Sequence, residues 1–251
     1  KIIDSSKVMY TLPILSALIP AIVLLIYIYW RDRHSPEPTR ELVKATLLGV
    51  LSIILSLCMS LPLMAIGAIP KDVQHFLDAM NHAFLGAAIP EELAKLFVLW
   101  LFLRKNIHFD ERMDGIVYAV CVSLGFAGLE NVMYIVGSYI IGDTEWLTIA
   151  LSRAVTAVPA HFCFGVLMGY FYSLAHFSPK DREWNVAMTF IAPMIAHGMY
   201  DIIPFTLRVE LPLWLSGTLA LVFIVLCFYL WRFAGKAIKA HLTKHENNAK
   251  V

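Results

Sequence analysis

Seven apolar runs, each about as long as a membrane-spanning helix, occupy most of this sequence. They lie near residues 9–30, 42–66, 78–103, 113–140, 148–176, 185–205 and 211–233. A helix that rises about 1.5 Å per residue needs about 20 apolar residues to cross the hydrocarbon core of a bilayer. The sequence therefore predicts an all-α transmembrane bundle of seven or eight helices, in which residues 1–251 form a single domain.

Composition and charge exclude two broad classes of protein. A content of 59% hydrophobic and 16% charged residues is outside the range of soluble domains, so we expect the lipid bilayer itself to be a partner. The net charge of +1 is dispersed along the chain, whereas nucleic-acid binding needs a concentrated basic face. We therefore expect no nucleic-acid partner.

The distribution of Lys and Arg predicts an orientation in the membrane. Of the 20 basic residues, fourteen fall on one side of the predicted bundle and five on the other, and Lys95 lies within a helix. Because positive charge accumulates in cytoplasmic loops, the N-terminus is predicted to lie outside and the C-terminus in the cytoplasm. We expect a multi-pass protein of a bacterial-type inner membrane.

Ionisable and amide side chains interrupt four of the apolar runs, and such residues usually face a bundle interior or a wet cavity. Counted from the cytoplasmic helix ends at about 1.5 Å per residue, they fall within one layer roughly 10 Å thick near the membrane centre. The sequence thus predicts a buried polar site formed by Glu91, Glu92, Lys95, Glu130, Asn131, His161, His197 and Asp201.

Residue spacing indicates which of these groups share a helix face. Lys95 is three or four residues from both glutamates, so it is predicted to offset their charge. Asp201 lies four residues after His197, so it can accept a hydrogen bond from one imidazole nitrogen and fix the tautomer. Prolines 90, 159 and 193 precede site residues, and the helix kinks they introduce favour a hydrated pocket.

Carboxylates that face histidines in the presence of water suit the attack of water on a carbonyl. One mechanism uses a glutamate, Glu91 or Glu92, as the general base, while a histidine or Asn131 supports the oxyanion. The other uses zinc, with His161, His197 and Glu92 as ligands and water in the fourth position. A proton- or cation-coupled transporter is the main alternative function, although no inverted repeat accompanies the buried charges, and a seven-helix receptor is a weaker one.

Five ordered stretches carry a resemblance to a known family: "YWRDRHSPEP" (29–38), "PEELAKL" (90–96), "MDGIVYAVCVSLGFAGLENVMY" (113–134), "RAVTAVPAHFCFG" (153–165) and "AHGMYD" (196–201). Together they resemble the PrsW family of intramembrane proteases, which is more distantly related to CAAX-prenyl endopeptidases and bacteriocin-processing proteins. The resemblance covers residues 29–201 and leaves the C-terminal helix and basic tail, 205–251, outside its motifs.

The resemblance implies residue roles and a substrate class. Glu91 and Glu92 match the essential paired glutamates of the family, and Glu130 matches the acidic position of its third motif. His161 and His197 match its two histidines. The implied activity is the first cleavage of a single-pass membrane protein, an anti-sigma factor of a stress response, on its extracytoplasmic side.

Overall fold

The computed structural model describes residues 5–142 and 144–248, with side chains described for 11–142 and 144–242. All seven apolar runs are helical, and no strand occurs in these ranges. The α-helices are α1 (Ser5–Arg31), α2 (Thr39–Ala65), α3 (Phe76–Asn81), α4 (Ile89–Leu103), α5 (Arg112–Ile140), α6 (Trp146–Val155), α7 (Ala157–Phe177), α8 (Arg182–Thr206) and α9 (Leu213–Asn248). The prediction of an all-α polytopic bundle is confirmed.

Six crossings of the described chain are long and apolar enough to span a bilayer, and the third predicted crossing is built differently. There α3 leads through a π-helical segment, His82–Ala88, directly into α4. A π turn accommodates an extra residue in a helix, and such turns are frequent at functional sites. Pro90 follows immediately, where the widened turn tolerates its missing N–H. The paired glutamates come directly after this proline.

The fifth predicted helix, 148–176, consists of two helices separated at Thr156, whose backbone (φ −119°, ψ −66°) departs from ideal helix geometry. Pro159 stands three residues beyond the break, in the first turn of α7, where its lack of an N–H is harmless. The break separates α6 from α7 within one candidate membrane span. It therefore lets α6 lie against α1 and α5 while α7 packs through the centre of the bundle.

Helix α5 forms the centre of the bundle, because 78% of its most apolar stretch is buried by other helices. Glycines allow its neighbours to approach closely: a Cβ on Gly125 would lie 2.1 Å from the carbonyl oxygen of Thr46 on α2. A Cβ on Gly169 of α7 would likewise lie 2.3 Å from the carbonyl oxygen of Gly115 on α5. Small residues at such contacts are the usual means of tight helix packing in membranes.

Helix α9 extends further than the predicted 211–233. Its membrane part is largely exposed, but Ala234, Ala237 and Ile238 are buried against residues of α1, α5 and α7. This end of α9 therefore belongs to the packed core. The first part of the basic tail is therefore packed against other helices, since Ala237 and Ile238 lie in the core.

Candidate active site

The predicted site residues of four helices meet in one buried network between α4, α5, α7 and α8. Packing of α8 against the π-helical segment brings α8 close to the start of α4. Gly198 of α8 faces Phe84 so closely that a Cβ would lie 2.2 Å from the ring. The neighbouring His197 consequently reaches Glu92, and its Nδ1 lies 2.9 Å from Glu92 Oε1.

Lys95 is the centre of the network and is buried, with 1% of its surface exposed. Its ammonium lies 2.8 Å from Glu92 Oε1, 3.4 Å from Glu91 Oε2 and 3.1 Å from His161 Nδ1. The ring of Phe126 stands 4.1 Å from the same nitrogen. The three N–H bonds thus have three polar partners, so Lys95 holds neighbouring side chains in place rather than offering a free donor.

His161 links the lysine to a second carboxylate. Its Nε2 lies 2.9 Å from Glu130 Oε2, on the opposite side of the ring from Lys95. Glu130 is also paired with Arg153 of α6, whose Nη2 lies 2.8 Å from the same oxygen. A continuous chain of polar contacts therefore connects Arg153, Glu130, His161 and Lys95.

His197 stands between two carboxylates and against an aromatic ring. Its Nδ1 contacts Glu92, and its Nε2 lies 3.2 Å from Asp201 Oδ2, the contact that the i,i+4 spacing predicts. Phe164 stacks on the imidazole with ring centroids 4.7 Å apart and an interplanar angle of 18°. These contacts fix the orientation of the ring.

The two imidazoles and one glutamate are the only described group of metal-ligating side chains to converge closely. One candidate ligand atom from each of Glu91, His161 and His197 lies within 4.8 Å of the other two. The sequence-based ligand set contained Glu92 in place of Glu91. The structure instead directs Glu92 toward Lys95 and His197 Nδ1, where it supports both.

The network is closed on one side and partly open on the other. Glu92 is fully buried, whereas 12% of the Glu91 side chain, 17% of Glu130 and 19% of Asp201 are exposed. Arg153 is also partly exposed, at 16%. These four partly exposed residues, which we call the mouth of the site, form the side of the network that is not fully covered by other helices.

Asn131 is placed differently from the other predicted residues. Its Nδ2 donates to the carbonyl oxygen of Ala17 on α1 at 3.2 Å, and its Oδ1 accepts from Arg153 Nε at 2.6 Å. It contacts neither histidine, so it joins helices and holds Arg153. Arg153 was not among the site residues predicted from the sequence. Its position near the outer end of an apolar run is as typical of an arginine that reaches the membrane interface as of a site residue, and no helical spacing links it to Glu130.

The first stretch of the resemblance, 29–38, lies at the other end of α5. There Glu37 accepts a hydrogen bond from the Tyr118 hydroxyl, and Asp32 is buried close by. Tyr118 is twelve residues from Glu130, roughly 18 Å along the helix. This part of the chain therefore contributes no side chain to the network of glutamates and histidines.

The sequence of motifs and the geometry agree with a comparison against known families. Residues 37–231 match the model of a family described as PrsW family intramembrane metalloprotease. The chain belongs to the PrsW family. It is accordingly an intramembrane protease and a multi-pass bacterial membrane protein, and the family match continues beyond the motifs to residue 231, within α9.

Curated relatives of the PrsW family span most of the chain. Protease PrsW of Geobacillus kaustophilus is 35% identical over 182 residues, which cover 72% of this chain and 75% of the relative. Protease PrsW of Bacillus subtilis is 34% identical, with 73% and 78% covered. Protease PrsW of Halalkalibacterium halodurans is 29% identical over 224 residues, with 89% and 94% covered. No solved structure matches the chain.

Proposed function

We propose that this intramembrane protease is a zinc enzyme that cleaves a single-pass membrane protein toward the outer face of the bilayer. The observation that carries the proposal is the convergence of Glu91, His161 and His197, whose candidate ligand atoms lie within 4.8 Å of one another inside the bundle. Each of the three comes from a different helix. Such convergence is typical of a site for a metal ion or a reacting water.

The chemistry of these side chains fits zinc. Two imidazoles and a carboxylate are a frequent set of protein ligands for catalytic zinc, which keeps a further position open. Glu92 Oε2 is buried without a hydrogen-bond partner among the described residues, as expected where a further polar group belongs in the pocket. Glu91, His161 and His197 would hold the zinc ion, which would supply Lewis-acid chemistry for peptide hydrolysis.

Glu92 and Lys95 support this set without touching substrate. Glu92 accepts from Lys95 and contacts His197 Nδ1, which leaves His197 Nε2 facing Glu91 and Asp201. Lys95 holds Glu91 and His161 from the closed side of the network. Partners of this kind orient ligand side chains, and their removal typically costs about 10- to 100-fold in activity or metal affinity.

Asp201 is the carboxylate that accepts the proton of the attacking water at Oδ2. Glu92 is fully buried away from the mouth, with Oε1 in contact with Lys95 and His197, and the charge of Glu130 is offset by Arg153. Asp201 is the most exposed carboxylate of the mouth, and it contacts His197 Nε2 at 3.2 Å. It is therefore accessible to water and within reach of the converging ligand atoms. General-base catalysis of this kind contributes about 10²- to 10⁴-fold.

The position of the mouth and the resemblance support the proposed substrate class. Glu91 lies twelve residues from the end of α4 at Leu103, roughly 18 Å along the helix from the predicted cytoplasmic side. A bond presented there belongs to the outer half of a membrane-tethered protein. By resemblance to the family, we propose an anti-sigma factor.

The test combines cleavage with elemental analysis of the purified protein. The chain is reconstituted in liposomes with a single-pass anti-sigma factor of its source organism that carries a different tag at each end. We expect Asp201→Asn to retain zinc and to lose about 100-fold or more in cleavage rate. Glu91→Gln and His161→Ala should lose zinc and cleavage together.

Glu210→Gln is the matched control, because Glu210 is an exposed carboxylate beyond the end of α8. Wild-type protein that cleaves without zinc and in the presence of chelator would refute the zinc assignment. Full activity of Asp201→Asn would exclude Asp201 as the base. Cleavage of other single-pass proteins with none of the anti-sigma factor would refute the substrate.

A further inference from the structure

Arg153 has a role that the sequence did not indicate. Instead of extending toward solvent, its side chain turns into the bundle between α5 and α6. Nε donates to Asn131 Oδ1 at 2.6 Å, and Nη2 lies 2.8 Å from Glu130 Oε2. The guanidinium also lies over the ring of Tyr134, 4.2 Å from its centroid. Three contacts therefore fix its position and its plane.

The oxygen that Arg153 contacts is the one that faces His161. Glu130 Oε2 lies 2.9 Å from His161 Nε2, and an ionised carboxylate only accepts hydrogen bonds. Lys95 Nζ, which only donates, lies 3.1 Å from Nδ1 of the same ring. Both neighbours consequently select the tautomer with hydrogen on Nε2 and the lone pair on Nδ1. That lone pair accepts from Lys95 in this structure, so His161 would bind a metal ion through Nδ1 in exchange for the Lys95 contact.

We propose that Arg153 is a positioning residue of the protease: it orients Glu130, and through Glu130 it fixes the tautomer and direction of His161. The inference rests on the proposed function, since it requires His161 to act in catalysis. Carboxylate partners of this kind are a common means of orienting a functional imidazole. In this chain, the carboxylate partner, Glu130, is itself paired with the guanidinium of Arg153.

The geometry also predicts that a lysine will not replace the arginine fully. Arg153 uses one nitrogen for Asn131 and another for Glu130, and Asn131 is itself fixed by its bond to the Ala17 carbonyl on α1. A single ammonium group lacks the planar fork that serves both partners at once. Charge alone therefore restores only part of the function.

The experiment measures kcat and KM for cleavage by the reconstituted protein carrying Arg153→Gln, Arg153→Lys, Glu130→Gln and the double substitution Arg153→Gln/Glu130→Gln. We expect Arg153→Gln to lower kcat about 10- to 100-fold with KM within twofold. Arg153→Lys should lie between Arg153→Gln and wild type. The double variant should be no slower than Glu130→Gln alone, because both substitutions break one chain of contacts.

Arg208→Gln is the matched control, since Arg208 stacks on Phe205 near the same end of the bundle without an ion pair to the network. If Arg153→Gln fails to fold, Arg153→Lys retains the charge and still gives the comparison of kcat with KM. A raised KM with unchanged kcat, or additive losses in the double variant, would refute the positioning role. Full activity of Glu130→Gln would also refute this role, because Arg153 acts through Glu130, whereas loss of cleavage in Glu91→Gln and His161→Ala tests the proposed site separately.

Discussion

Substitution of Lys95 by methionine should destabilise the protein strongly, because it leaves a buried carboxylate without its cation. The Lys95 and Glu92 side chains are 1% and 0% exposed, and their charged atoms lie 2.8 Å apart. At an effective dielectric constant of about 20, that distance corresponds to roughly 6 kcal/mol of attraction. Removal of one partner of a buried pair typically costs about 3–5 kcal/mol. For a chain of this size we expect a Tm lower by roughly 6–20 °C.

The assay is thermal unfolding of purified protein in detergent, and the chain provides a matched control. Lys44 and Glu41 form a pair at 2.6 Å with the same i,i+3 spacing, but 45% of the Lys44 side chain is exposed. Lys44→Met should therefore cost about 1 kcal/mol or less. The double substitution Glu92→Gln/Lys95→Met should recover most of the lost stability. If Lys95→Met lowers Tm no more than Lys44→Met does, the reasoning about burial is wrong.

Two further predictions concern the same measurement. Gly49→Ala should lower Tm, because its Cβ would lie 1.9 Å from the Val122 carbonyl oxygen and overpacking costs about 1–3 kcal/mol. Gly137→Ala, with open space around the new Cβ, should be neutral or stabilising. Equal losses of Tm in the two variants would contradict the packing argument. Burial, with the nearby charges of Glu111 and Glu37, raises the pKa of Asp32 to about 8, so the folded protein retains a proton that the unfolded chain releases. The free energy of unfolding should fall as pH rises from about 4 to about 8. Asp32→Asn should flatten this pH dependence between about pH 5.5 and about pH 8.5. An unchanged slope in the variant would exclude Asp32 as the cause of the pH dependence.

Much of the fold and the composition of the site could be predicted because two properties of membrane helices are local. The length of an apolar run determines whether it can span a bilayer, and the rise per residue determines the depth of each polar side chain. Depth alone predicted that Glu92, Glu130, His161 and His197 would lie at one level. The structure brings all four into one network.

Local spacing was sufficient for contacts within one helix. Lys95 contacts both glutamates of its own helix, and Asp201 contacts His197, as their i,i+3 and i,i+4 separations predict. The interruptions within the third and fifth crossings were less accessible. A π turn and a break at Thr156 depend on how neighbouring helices pack, and prolines only indicated that irregularities were tolerated nearby.

The sequence by itself determined which residues share a depth and which share a helix face. Only the tertiary structure decided that Glu91 joins the histidines while Glu92 supports them, and that Arg153 turns inward to Glu130. Adjacent residues on a helix point about 100° apart, so their roles depend on the rotation of that helix about its own axis. That rotation is set by contacts between helices, such as Phe84 against Gly198, and no single helix encodes it.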